Sequence, residues 1–546
     1  VTRSSLQQTA ARWLPLAAVA VALLLPLVGL LRAPGPPMEE GFMLVFPERV
    51  LHGDIPNKDF LHLYGPGSLW ALASVFKVFG TSLWTERIAG YLQQVGLVLA
   101  VFAIARPWGR WVAAAGAIVT AVIIVPPIGL TALAWVGGVA LGLWAMVAAT
   151  SRRVVIAGLL AAAALLFRLD LVLAVTLGLV VAAKPLVRRQ RLQLAGAYAG
   201  GLSLYLVHVA MAGPSNVWEG MVVEPIVKLR GGRRLPLPPS WSHFDGFLQK
   251  AGELVAPPWP FPAPPSPAQL SLWLYLLVAT VVFLVVVGWR AVRADPTSKR
   301  ARTLLVAAVF SFGLLPQAFQ RADSTHLAWV SAVPLGLLPM AIAELLDSRR
   351  PSLARHTRTL VAAATPFVLL FVLAPHFTLR TYADATAQSF GFHRESHTIR
   401  NGDRVFYYGR QDATDAVNAM LADIDRIKRP GDRLFVGTGD LRKTPYSEAF
   451  LYYLLPDLPP ATRYIEMDPG VANANDSGLA DELANSDIVV LSSIRDDWEE
   501  PNDSRKFGSD VPNEVLARDF EKVGSYGTGL FGHGLYELYV RREPRH

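Results

Sequence analysis

The sequence predicts a polytopic α-helical membrane protein of about eleven spans, followed by a soluble α/β domain. Three observations predict it. Apolar runs of membrane-spanning length recur through the first 375 residues. Basic residues collect in alternate short loops between those runs. From His376 onward the composition becomes that of an ordinary soluble domain.

The first observation rests on composition. The chain is 52% hydrophobic and only 17% charged, against roughly 25% charged residues in soluble domains. The net charge of +8 is split: residues 376–546 hold 28 acidic and 20 basic side chains, whereas residues 1–375 hold 15 and 31. A basic balance usually raises nucleic acid as a partner. Here the bases sit in short loops between apolar runs, which is membrane topology, so no nucleic-acid partner is expected. The absence of cysteine excludes a disulfide framework, thiolate metal sites and a cysteine nucleophile.

Segments of about 20 mainly apolar residues mark the spans. They fall at 13–31, 83–105, 111–127, 129–149, 153–168, 170–183, 192–212, 269–289, 302–320, 325–346 and 358–375. Arg3 and Arg12 precede the first run, which is long for a signal sequence and is followed by Arg-Ala-Pro-Gly-Pro-Pro, so it reads as a retained helix. With the N-terminus inside, the inner loops are 106–110, 150–152, 184–191, 290–301 and 347–357. They carry 14 Lys and Arg against two acids, Asp295 and Asp347. That bias obeys the positive-inside rule and sends the acidic C-terminal domain (376–546) outside, away from the membrane part (1–375).

The same topology sorts the polar motifs to the outer side. The first outer segment carries Glu39 and Glu40, then Lys58-Asp59-Phe60, His62 and Tyr64-Gly65-Pro66-Gly67. One carboxylate of such a pair can act as a general base on a hydroxyl while the other orients it or binds a cation. The alternative is a solvated acidic pair at the start of an interfacial helix, where negative charge is favoured. Stretches 40–51 and 67–80 read as short amphipathic helices lying along the interface.

Arg168 and Asp170 sit between two apolar runs, where charge is costly and marks function, or forms an internal ion pair. Arg321, Asp323 and His326 occupy another short outer turn. They suit a lipid phosphate, because guanidinium matches phosphate geometry, or a hairpin with a capping Asp. The long segment 213–268, with Trp218, Arg233 and a Pro-rich stretch, is either a groove wall or a surface linker. In the C-terminal domain, Arg433–Gly437 and Asp487–Ser492 read as buried parallel strands, and Arg463–Glu466 and Leu535–Arg541 as further strands. Helices are expected near 411–428, 446–455, 478–485 and 512–523. Gly437-Thr-Gly439-Asp440 is too short for a dinucleotide fingerprint and reads as a strand end.

Taken in order and by side, these residues resemble the GT-C superfamily of integral-membrane glycosyltransferases. The likeness is carried by the acidic pair after the first span, Asp59-Phe60 with Tyr64-Gly65-Pro66-Gly67, the Arg168/Asp170 and Arg321/Asp323/His326 turns, and the terminal soluble domain. The resemblance implies a polyprenyl-phosphate sugar as donor, used on the outer face of the plasma (inner) membrane with inversion. The acceptor would be a cell-envelope glycan, glycolipid or glycoprotein. It implies Glu39 or Glu40 as the general base. Arg168, Arg321, His326 and Lys58 would neutralise the leaving phosphate, with Asp59, His62, Tyr64, Asp170 and Asp323 as substrate contacts. Family members often carry Asp in the acidic pair; two glutamates leave open whether Glu39 and Glu40 hold a divalent cation (Mg, Mn or Ca). The Ala-, Val-, Arg- and Gly-rich composition fits a high-GC actinobacterial source, which would make decaprenyl-phosphate mannose or arabinose the donors. A transporter or flippase of lipid-linked sugars would instead show internal repeats and polar residues at helix centres. A non-catalytic scaffold that binds cell-wall polymers would not need the acidic pair.

Overall fold

The computed structural model of the chain describes residues 3–126, 129–251, 257–392, 394, 396–529 and 534–543. Pro127, the expected end of one span, and residues 252–256 of the long outer segment lie outside them, as do the side chains of Arg3 and Arg12. All eleven expected spans are helical. Seven helices are long and apolar enough to cross a membrane: Trp13–Leu31, Leu83–Trp108, Arg188–Ala212, Ser266–Ala294, Lys299–Gln320, Ser324–Arg349 and Arg355–Leu373.

The other four are shorter: Arg110–Ile124, Ala134–Thr150, Val154–Phe167 and Leu169–Ala183. Val154–Phe167 has 14 residues, which at ~1.5 Å per residue reach about 21 Å of a ~30 Å hydrocarbon core. Irregular backbone at such depth is tolerated only against protein. The buried stretch 130–132 meets that condition: Glu86 Oε1 accepts the Ala132 N–H at 2.6 Å, and Gln94 donates to the Gly129 carbonyl at 2.8 Å.

Small residues set the closest helix contacts, as expected where lipid supplies no hydrophobic drive between helices. Thr120 Oγ1 donates to the carbonyls of Gly116 and, across the interface, Ala332, both at 3.0 Å. A Cβ at Gly336 would lie 2.0 Å from Thr120 Oγ1 and 3.0 Å from the Gly116 carbonyl oxygen. Gly336→Val should therefore cost at least about 1–3 kcal/mol of overpacking. Loss of the monodisperse peak on size exclusion in detergent would check it; a wild-type profile and melting temperature would refute it.

Two helices follow the first span, Glu39–Leu51 and Gly67–Phe79. The first is buried from Glu40 through Pro47, more than a half-solvated amphipathic helix would be. The C-terminal part covers it so closely that a Cβ at Gly41 would stand 2.3 Å from the Phe450 nitrogen.

Among the described residues every strand lies at or beyond His397. A hairpin pairs β1 (His397–Asn401) with β2 (Arg404–Tyr408). A four-stranded sheet follows in the order β3-β4-β6-β5, from β3 (Leu434–Thr438), β4 (Ile488–Ser492), β5 (Phe520–Tyr526) and β6 (Tyr536–Arg541). β3 and β4 are parallel and buried at every position, as their unbroken apolar runs require. β6 pairs antiparallel with β4 and with β5.

Three local expectations change. Residues 463–466 form no strand: Leu61 of the first outer segment donates to the Arg463 carbonyl at 3.0 Å, so this backbone serves another part of the chain. The helix expected over 512–523 ends at Asp519, because the residues from Phe520 pair with β6 through a bulge between Lys522 and Gly524. The helix expected over 446–455 shrinks to Phe450–Leu454, leaving Tyr446 and Glu448 on irregular backbone.

Candidate active site

Glu39 and Glu40 open a helix together, yet the structure separates their environments. Glu40 is 1% exposed and receives both arms of Arg87: Nε to Oε1 at 2.7 Å and Nη2 to Oε2 at 2.8 Å. The third nitrogen of Arg87 donates to the carbonyls of Leu30, Leu31 and Ala33 at 3.2, 2.9 and 3.0 Å. The pair thus clamps the end of the first span to the next membrane helix. Both Glu40 oxygens are thus engaged by a guanidinium, which leaves Glu39 the less committed of the two. Among the described residues, no group of three or more His, Cys, Asp and Glu could hold a metal ion.

Glu39 is half-buried. Its Oε2 accepts a hydrogen bond from the Tyr446 hydroxyl at 2.6 Å. Oε1 has no partner among the described residues, so one carboxylate oxygen is held and the other is open.

Around Glu39 gather residues from distant parts of the chain. Glu466 and Asp468 are both buried, and Glu466 Oε1 and Asp468 Oδ2 lack hydrogen-bond donors. Burial, then the neighbouring Asp468 charge, pushes the Glu466 carboxyl well above the usual range; Glu39 adds to it. The residue between them, Met467, adopts φ +53°, a left-handed conformation that costs roughly 1–3 kcal/mol and clusters at functional sites. Asp468 Oδ1 is met by Arg233 at 2.8 Å.

Arg168 is 6% exposed and pairs with Asp170 through Nε at 3.0 Å and Nη2 at 2.6 Å. Its guanidinium lies 4.1 Å from the centre of the Tyr64 ring and 5.3 Å from that of Trp135. Tyr64 also feels Glu466 and Asp468, which places it between the cation and the acidic group. Burial pulls the His62 imidazole down to about 3. It is wedged edge-on between Phe46 and Tyr64 with no hydrogen bond at either ring nitrogen. His62 thus supports Tyr64 as a neutral packing group, not as the expected substrate contact.

Arg321 is committed as fully as Arg87. It donates Nε to Asp323 at 2.7 Å, Nη2 and Nη1 to Glu500 at 2.5 and 2.8 Å, and Nη1 to the Arg233 carbonyl at 2.7 Å. Asp323 caps the next span by accepting the His326 N–H at 2.9 Å, and also meets His326 Nδ1 at 2.9 Å. Arg321 thus lies between two buried carboxylates, and Asp323 and His326 form the helix cap. Lys58 and Asp59 are exposed. Asp59 closes a turn by accepting the Ile55 N–H at 2.8 Å, so it is corrected to a turn residue, and no contact brings Lys58 to the group around Glu39.

Sequence reasoning missed Tyr446, Glu466, Asp468, Glu500 and Arg87. The one local signal was Glu466-Met-Asp468, two acids at alternate positions in an otherwise apolar stretch.

Long apolar helices and a sheet-bearing C-terminal part make the chain a multi-pass membrane protein. The chain is similar to ArnT from Cupriavidus metallidurans bound to undecaprenyl phosphate. The TM-score is 0.52 at 15% identity, over 97% of this chain and 98% of ArnT. It also matches the oligosaccharyltransferase of Archaeoglobus fulgidus (TM-score 0.43, 14% identity, 88% of this chain and 69% of that one). A third match is the arabinofuranosyltransferase AftD from Mycobacteria (TM-score 0.41, 15% identity, 98% and 40%). No protein-family model and no curated protein matches the chain.

Proposed function

We propose that the chain is a glycosyltransferase of the plasma membrane. It moves a sugar from a polyprenyl-phosphate donor to a cell-envelope glycan or lipid acceptor on the outer face. Residues 1–375 are the membrane catalytic domain and 376–546 an extracytoplasmic domain. The basic loops between alternate spans support a cytoplasmic N-terminus and a site on the outer side. The undecaprenyl phosphate named for ArnT supports a polyprenyl phosphate donor here.

The observation that carries the reading is the half-buried Glu39, one oxygen held by Tyr446 and the other open, with Tyr64 and Arg168 in the same surroundings. Glu39 takes the proton of the acceptor hydroxyl. The acceptor oxygen bonds to the anomeric carbon from the face opposite the phosphate, and the bond from that carbon to the phosphate oxygen breaks. The configuration inverts, and the polyprenyl phosphate leaves as an anion. Arg168 is the cation placed to receive that charge, since its partner Asp170 is 44% exposed at the side chain while Arg321 is held between two buried carboxylates.

The test is transfer in proteoliposomes from radiolabelled decaprenyl-phosphate mannose and decaprenyl-phosphate arabinose to synthetic octyl glycosides, wild type beside Glu39→Gln. Transfer by the wild type that vanishes in a folded variant supports the reading. Absence of transfer from either donor counts against it and favours lipid flipping or polymer binding.

A further inference from the structure

Glu39 belongs to the membrane half, yet the hydrogen bond its carboxylate accepts comes from beyond the last span. The Tyr446 hydroxyl donates to Glu39 Oε2 at 2.6 Å and accepts the backbone N–H of Met38 at 3.2 Å. Both ends of its hydrogen-bonding capacity are therefore spent at the first turn of the acidic helix. The ring is held flat by the Trp498 indole, stacked at 5.5 Å, and by the Arg495 guanidinium, 5.0 Å from its centre. Arg495 in turn lies 4.7 Å from the centre of the Phe247 ring. Tyr446 is 5% exposed. Burial, then the Glu39 charge, holds its phenol well above the usual tyrosine range, so it remains a donor at neutral pH.

The loop that carries Tyr446 has its height over the helix fixed independently. Phe450 N–H donates to the Pro37 carbonyl at 3.1 Å, and Gly41 admits the backbone of Ala449 and Phe450. Further away, Arg404 joins the two halves through Glu48 at 2.6 and 2.8 Å without touching Glu39.

We propose that Tyr446 is a positioning residue for the transfer reaction: it fixes the Glu39 carboxylate so that Oε1 meets the acceptor hydroxyl, and so makes the base depend on the seated C-terminal domain. The inference rests on Glu39 being the base. A carboxylate on a two-carbon stem can rotate and swing; holding one oxygen removes that freedom before the acceptor arrives, and orientation of this kind is a large part of catalytic rate.

Two readouts test this. In nanodiscs, the rate of carbodiimide modification at Glu39, followed by mass spectrometry, reads the carboxylate without any substrate. Tyr446→Phe should raise that rate about tenfold, the loss of one charge-assisted hydrogen bond to the carboxylate. A fluorinated tyrosine at 446, a stronger donor, should lower it. Arg404→Gln, which loosens the seating elsewhere, should leave it unchanged.

In proteoliposome transfer with the two decaprenyl-phosphate donors, Tyr446→Phe should lower kcat about tenfold with KM within about twofold. The inference is overturned by an unchanged labelling rate in folded Tyr446→Phe, by an equal change in Arg404→Gln, or by unchanged kcat. Retained transfer in Glu39→Gln would remove the base itself, and the inference with it; loss there with wild-type Tyr446→Phe kinetics would sink the inference alone.

Discussion

Glu39→Gln should lower transfer by about 10²–10⁴-fold, the contribution typical of a positioned acid or base, without lowering the melting temperature by more than a degree or two. Glutamine keeps the shape and still accepts from the Tyr446 hydroxyl through its amide oxygen, so the 2.6 Å contact survives. What it loses is the capacity to take a proton. The fall should appear in kcat with KM little changed, because the missing interaction forms in the transition state. Glu40→Gln should behave in the opposite way. Its carboxylate pairs with a 2% exposed Arg87, and breaking such a pair leaves a buried charge, at a cost of roughly 3–5 kcal/mol. Glu40→Gln should thus be found first as loss of folded protein. If Glu39→Gln destabilised the protein and Glu40→Gln removed only turnover, the assignment of roles would be reversed.

Arg321→Met should be the most damaging single change at the junction of the membrane and C-terminal parts. The guanidinium joins Asp323 to Glu500, whose side chains are 0% and 1% exposed, and also binds the Arg233 carbonyl. Removing it takes the guanidinium from two buried carboxylates, leaving Asp323 with His326 and Glu500 with Asn502, at a cost of roughly 3–5 kcal/mol. The pH dependence gives the sharper check. Burial alone would push the Glu500 carboxyl up; the Arg321 charge outweighs it and holds the group below the usual range. In the wild type this contribution is therefore present above about pH 4.3, the unfolded value, and is lost as pH falls through the lower folded value. In Arg321→Met the Glu500 carboxyl is raised instead, so stability should increase as pH falls from 7.5 toward 5. Thermal melts of both proteins in detergent across pH 3.5–7.5 decide it. Parallel profiles would mean that Arg321 does not set the charge state of Glu500.

Much of the architecture was legible because long apolar runs and their flanking bases record membrane insertion residue by residue. β3 and β4 stand out as apolar runs. β5 did not, because only Phe520 and Tyr526 of its seven residues are buried, a sparse pattern that mimics a helix end. The depth of the Glu39–Leu51 helix was also hidden: whether an amphipathic stretch meets lipid or protein depends on what later folds over it, here the backbone at Ala449 and Phe450.

The sequence by itself determined a multi-pass helical membrane protein with a sheet-bearing C-terminal part, and an acidic pair soon after the first span. Only the tertiary structure decided which glutamate keeps an oxygen without a partner among the described residues. Adjacent helical residues point about 100° apart, so their surroundings are set by partners that no local pattern announces. The partner of Glu40 is Arg87, 47 residues on; that of Glu39 is Tyr446, 407 residues on. The same reason turned Arg321 from a phosphate ligand into a tie to Glu500: a guanidinium in a loop is available to a ligand only if folding brings no carboxylate to it first.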